Sequence, residues 1–152
     1  MSGRMTAAFF FLGTVLLDQI VKFYVELTLL PGESIPVAPQ IFHITYVLNP
    51  GAAFGIFRHQ QWLFLVTAAA FSICFLFFYA RLCRSGALIH YGSVALAAGA
   101  VSNMIDRIRT GHVVDFFDFR IWPVFNVADI AIVAGTAAVL WAFFVQRREI
   151  AG

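Results

Sequence analysis

The chain has 152 residues, of which 61% are hydrophobic and 12% charged, and its mean hydropathy is +0.86. A soluble domain carries about 25% charged residues, so the composition excludes one and describes an integral membrane protein, whose length suits a single domain over 1–152. A formal charge of +2, no basic run interleaved with aromatics and no Gly-rich phosphate loop argue against a nucleic-acid partner.

A spanning helix needs about 20 mostly apolar residues, and four segments qualify, at approximately 5–26, 61–81, 87–106 and 127–146. The first follows a positively charged start, as a signal peptide would. It lacks a small-x-small cleavage site, and Asp18 and Lys22 fall where one would lie, so an uncleaved first span is expected. Asp18 and Lys22 are four residues apart and share a helix face; they read either as an ion pair that orients the helix or as contacts to a substrate.

Residues 31–60 form a longer loop. Its run IFHITYVL, bounded by Pro and by Asn-Pro-Gly, predicts a strand and hence a small β element on the outer membrane surface. Asn49 and the Pro-Gly-Ala-Ala-Phe-Gly that follows read either as an ordinary turn or as a place where small residues let another chain approach the backbone. The second span, WLFLVTAAAFSICFLFFYA, is uncharged. Cys74 and Cys83, in and just after it, form no CxxC and are expected to be free thiols packed as small hydrophobes. The third span, rich in Gly, Ala and Ser, suits close helix packing. It ends on Asn103, Asp106 and Arg107, at i, i+3 and i+4 on one face. There the Arg either holds a carboxylate or forms a helix-end ion pair. The fourth span starts at the polar Asn126–Asp129 step. Trp62 and Trp122 fall where an interfacial aromatic belt would lie.

An even number of spans puts both termini on one side. Lys and Arg divide five against five between the two sides. The tie breaks toward cytoplasmic termini when Lys22, Arg107 and Arg109 are set aside as site or helix-end residues.

Four of the chain's eight acids, Asp106, Asp115, Asp118 and Asp129, lie in the stretch 99–132 between the last two spans. A carboxylate at the mouth of a membrane helix is costly to keep ionised. Asp115 and Asp129 are 14 residues apart, across a segment containing Pro123, which is long enough to fold back and bring the two together. Such a pair shares a proton: one member activates water while the other protonates the leaving group. The other reading is solvated interfacial acids. Neither HExxH nor GxSxG occurs, and the four histidines (His43, His59, His90, His112) are scattered, so neither metal nor cofactor is expected.

Asp18-x-x-x-Lys22, Asn49-x-Gly-Ala-Ala-Phe, Asn103-x-x-Asp106-Arg107, Gly111-x-Val-Val-Asp115-Phe and Phe125-Asn126-x-Ala-Asp129 occur in this order around four spans. Together, over essentially the whole chain, they resemble lipoprotein signal peptidase (signal peptidase II), a bacterial inner-membrane aspartic peptidase family. The resemblance implies a catalytic pair at Asp115 and Asp129. It implies that Asn49, Asn103, Arg107 and Asn126 line the site and hold substrate or dyad. Asp18 and Lys22 match the polar first-helix motif, and Asp106 is assigned to architecture. Asp118 has the weakest claim and is expected to be solvated. Ser102 stands where the family usually has Gly, and Ile130 where Ser is common.

The resemblance also implies a substrate, a prolipoprotein carrying a diacylglyceryl-modified Cys and cut on the N-terminal side of that residue. Its acyl chains enter from the lipid, and a monomer is expected. The fold expected is all-α, four transmembrane helices with a small extracytoplasmic β element. The competing reading from another class is a small four-helix transporter or proton-coupled membrane protein using its carboxylates. Such a protein needs acids near the bilayer midplane, whereas these cluster at one end.

Overall fold

The computed structural model describes residues 3–51 and 61–151. Residues Ala52 to Phe54 of the Asn49 motif, together with Arg58 and His59, lie outside them. The described residues form α1 (Gly3–Thr28), β1 (Ser34–Ala38), β2 (Phe42–Asn49), α2 (Gln61–Leu82), α3 (Ala87–Thr110), β3 (Val113–Asp118) and α4 (Val127–Ala151). All four helices are long and apolar enough to cross a membrane. Lipid offers no partner to backbone N–H and C=O groups, so each span must close its hydrogen bonds internally. Accordingly the five prolines lie in connections or in the edge strand β1.

The helices differ in what they bury. The apolar side chains of α1, α2 and α4 are largely exposed, Phe77 and Leu76 on α2 among them, as suits a surface solvated by lipid. By contrast, α3 is the central helix, buried along most of its length and packed against the other three. Its small residues make this possible. A Cβ at Gly99 would run into the Ala128 carbonyl of α4 and the Ile132 side chain. A Cβ at Gly135 would come within 2.5 Å of the Gly92 carbonyl oxygen and 2.8 Å of the Leu96 nitrogen. The backbones of α3 and α4 therefore pass closer than any side chain would allow.

The three strands form one antiparallel sheet in the order β1-β2-β3. β2 covers the strand predicted from IFHITYVL. The sheet is larger than that outer-loop element, because Val113–Asp118 from the connection between α3 and α4 joins it as β3. That strand was not predicted; its apolar–acid run reads as a motif until a partner strand is supplied. Val47 lies opposite Asp115 and Asn49 opposite Val113, with a bulge between Ile44 and Val47. One face of the sheet packs Tyr46, Val114 and Phe116 against Val25 and Leu29 at the end of α1. Gly111 turns the chain from α3 into β3: it takes φ 80°, a left-handed conformation that favours glycine, and its N–H bonds the Arg107 carbonyl.

Candidate active site

The first turn of α4 carries one of the two acids. Asn126 is the residue before the helix, and its Oδ1 accepts the Asp129 N–H at 2.8 Å. In return Asp129 Oδ2 accepts the Asn126 N–H at 3.3 Å. This reciprocal pair is a capping box, which satisfies N–H groups that no preceding turn can reach. The three-residue spacing of Asn126 and Asp129 thus reflects the needs of a helix start, and it also fixes the carboxylate. The positive end of the helix dipole favours the negative charge there.

The second acid comes from β3. Asp115, 1% exposed, is held on both oxygens: Asn126 Nδ2 donates to Oδ1 at 2.7 Å and Asn49 Nδ2 donates to Oδ2 at 2.9 Å. Asn49 in turn accepts the Gly51 N–H, so its amide is oriented by its own turn. Asn126 therefore touches both acids, and the fold-back across Pro123 brings Asp115 and Asp129 into one network. Burial, and after it the charge of Asp129, pushes the Asp115 carboxyl up to about 7 from its ordinary 3.8, against the opposing pull of Asn49, Lys22 and Asn126.

Beneath the two acids lies a buried charge cluster. Asp18, Lys22 and Asp106 are all 0% exposed. Lys22 Nζ lies 2.7 Å from Asp18 Oδ2 and 2.7 Å from Asp106 Oδ2, and it donates to Asn103 Oδ1 at 2.9 Å. Asn103 also accepts from Asn126 and donates its Nδ2 to Asp129 Oδ1 at 2.8 Å. Of the two readings open for Asp18 and Lys22, the ion pair is the one formed, and Asp106 rather than Arg107 completes it. Burying unpaired charge would cost several kcal/mol per ion, so each member depends on the others.

Two members carry no role in the sequence reading. Ser102 Oγ donates to Asp18 at 2.7 Å, and Gln19 Nε2 reaches Asp106 at 2.8 Å and the Ser102 hydroxyl at 3.1 Å. The hydroxyl of Ser102 is thus used where the resemblance leads one to expect Gly. A polar residue adjoining Asp18 within an apolar run was the available signal for Gln19. Ile130, the other departure, is exposed and outside the network.

Arg107 makes no carboxylate pair among the described residues. Its guanidinium donates to the Gly51 carbonyl at 3.1 Å and lies 4.5 Å from the Phe64 ring centroid, joining α3 to the Asn49 turn and to α2. Asp118 is not solvated. It is buried in the sheet, accepting Thr45 Oγ1 at 2.8 Å and both the backbone and the guanidinium of Arg120. Although burial opposes it, these bonds hold its carboxyl below the ordinary value. His112 bonds the Thr110 carbonyl and does not join the two acids. Cys74 and Cys83 are free, and Cys83 Sγ lies 3.6 Å from His90 Nε2, away from the acids. Among the described residues no group of three or more His, Cys, Asp or Glu is placed to hold a metal ion.

Four apolar helices, a small sheet and a buried acid–amide network at one end define a multi-pass membrane protein built like known membrane enzymes. Two solved bacterial membrane enzyme structures superpose on it, one with a TM-score of 0.88 at 30% identity, covering 93% of this chain and 89% of the other. The second gives a TM-score of 0.79 at 31% identity, covering 91% and 92%. The family model for signal peptidase (SPase) II matches residues 10–145, and the chain belongs to that family. Relatives named lipoprotein signal peptidase include one from Pelotomaculum thermopropionicum, 45% identical over 84% of each chain. Another, from Halothermothrix orenii, is 43% identical over 88% of this chain and 92% of its own.

Proposed function

We propose that this protein removes the signal peptide from diacylglyceryl-modified bacterial prolipoproteins, cutting on the N-terminal side of the lipidated Cys, with Asp115 and Asp129 as an aspartic dyad. The observation that carries the reading is the double tether of Asn126 to both acids, together with an Asp115 carboxyl held near 7. One acid keeps a proton while the other, as carboxylate, takes a proton from water. The water oxygen attacks the scissile carbonyl carbon, and the protonated acid passes its proton to the carbonyl oxygen. Collapse of the tetrahedral diol breaks the C–N bond: the amine nitrogen takes the proton the first carboxylate had taken up, and one diol hydroxyl returns its proton to the second acid, leaving a carboxylic acid, a free amine and the dyad as it began.

Asn49, Asn103 and Asn126 hold the acids through their amides, and Arg107, bonded to the Gly51 carbonyl, is the guanidinium available to substrate backbone in a water-poor setting. The lipidated substrate enters sideways from the bilayer. The termini are cytoplasmic, the site lies near the extracytoplasmic surface of the inner membrane, and one chain, folded as a single domain over 1–152, carries every residue named. The acids cluster at one end of the bundle rather than at its midplane, which favours a peptidase over a proton-coupled transporter.

The test is release of signal peptide from a diacylglyceryl-prolipoprotein by purified protein. Asp115→Asn and Asp129→Asn should each lower turnover by about 10²–10⁴-fold while the protein still inserts. Near-normal turnover by either variant would remove the dyad assignment.

A further inference from the structure

The cluster beneath the acids makes two further contacts. Asp18 Oδ1 accepts the N–H of Ala128 at 2.9 Å, and Ala128 is the residue immediately before Asp129. Asp106 Oδ2 accepts the N–H of Val114 at 3.2 Å, and Val114 is the residue immediately before Asp115. Each buried carboxylate therefore grips the backbone one residue ahead of one member of the dyad. Lys22 lies between the two carboxylates at 2.7 Å from each.

We infer that Asp18, Lys22 and Asp106 form a clamp that sets the separation of Asp115 and Asp129 by holding the peptide preceding each at a fixed distance from one shared ammonium group. This inference rests on the dyad reading and goes beyond it by giving three fully buried residues a positioning role. The two acids come from unlike elements, a strand and a helix start, and β3 and α4 are joined by a connection that Pro123 interrupts. The last residues of that connection do bond back to β3, Phe125 to Phe116 and Phe117 and Asn126 to Asp115; the clamp adds a second hold, on the peptide immediately ahead of each acid.

The clamp is anchored where movement is least available. Asp18 and Lys22 sit one turn apart on α1, and Asp106 sits on α3, the most buried helix. Each carboxylate carries a third bond as well, since Ser102 donates to Asp18 and Gln19 to Asp106. Neither carboxylate can swing without losing a bond. Lys22 also orients the Asn103 amide: the ammonium requires Oδ1 as acceptor, which leaves Nδ2 to point at Asp129. An acid displaced by about 1 Å can cost on the order of 10²-fold in rate, so a device that fixes spacing acts on kcat and leaves substrate binding alone.

The experiment compares Asp106→Ala and Asp106→Asn with wild type, scoring kcat and KM per folded, monodisperse molecule in detergent micelles, with Asp115→Asn measured alongside. Asp106→Ala removes the acceptor for the Val114 N–H and should lower kcat by roughly 100-fold with KM nearly unchanged. Asp106→Asn keeps one acceptor oxygen and loses the charge pair, and should retain more activity, with kcat down roughly tenfold. Should Asp106→Ala yield no folded protein, Asp106→Asn decides alone. Wild-type kcat in the folded variants, with loss confined to yield or thermal stability, overturns the clamp and leaves the dyad standing. Full turnover by Asp115→Asn overturns the dyad itself.

Discussion

At the scale of single residues, Asn126 does three jobs with one side chain. It starts α4, it fixes Asp129 through the reciprocal cap, and it donates to Asp115. An amide suits the task because it offers an acceptor toward the helix N–H and two donors, which Asn126 directs at Asp115 and Asn103. The titration of Asp115 follows from the same setting. Its folded-state value of about 7 lies above the ordinary 3.8, so the folded protein holds a proton that the unfolded chain releases. The stability linked to that proton is fully present below 3.8 and is lost as pH rises through about 7. The protonated form of Asp115, which the proposed chemistry needs, is lost over the same upper range. The pH profile of kcat/KM should therefore fall on the alkaline side of about 7, and thermal unfolding of Asp115→Asn should depend less on pH between about 4 and 7 than that of wild type. A flat profile through that window would separate Asp115 from the proton the reaction needs.

At the scale of elements, the close approach of α3 and α4 decides where Asp129 stands. Gly135 lies less than two turns of helix beyond it and admits no Cβ without moving the Gly92 backbone. Gly135→Ala should destabilise the protein by about 1–3 kcal/mol, read as a lower thermal midpoint in detergent. Gly13→Ala on α1, where a Cβ would meet nothing within 4 Å, should be neutral or slightly stabilising. Equal effects at both positions would mean that helix propensity rather than packing governs these sites. The sheet also works as an element. β2 brings Asn49 alongside β3, and the pairing across the ladder lets its amide reach Asp115.

At the scale of the whole molecule, Asp18, Asp106, Asp115 and Asp129 and the amides that hold them gather in one network, away from buried His90 and Ser93 at the start of α3. Helix bundles in lipid gain little from apolar contact between helices, and small residues and polar bonds must hold them instead. Here the buried Asp18–Lys22–Asp106 cluster ties α1, α3 and α4 to β3, and the Arg109–Glu26 ion pair adds a second link between α1 and α3. Because the proposed chemistry runs on carboxyl groups alone, prolipoprotein cleavage by the purified protein should be unchanged by a strong chelator. Loss of turnover restored by added divalent metal would replace the dyad with a metal-dependent mechanism.

The membrane class and the four spans were legible in the sequence, because the length and apolarity of a span are dictated by the bilayer before any tertiary contact exists. So was β2, whose β-branched and aromatic run is bounded by turn residues. The order of five short motifs also carried the family, which the matching family model bears out. Position within the network was not legible. Asp118 and Asp106 are both acids between the same two spans, yet one is spent on Thr45 and Arg120 in the sheet and the other on Lys22 and the Val114 N–H. Strand β3 forms only because β2 offers it an edge, and Gln19 and Ser102 acquire partners only when α1 meets α3. Periodicity and composition are properties of one segment, whereas the partner of a buried polar group is a property of two or more segments. For that reason hydropathy determined what crosses the membrane, and only the tertiary structure decided which carboxylates share the Asn126 amide and which groups hold them there.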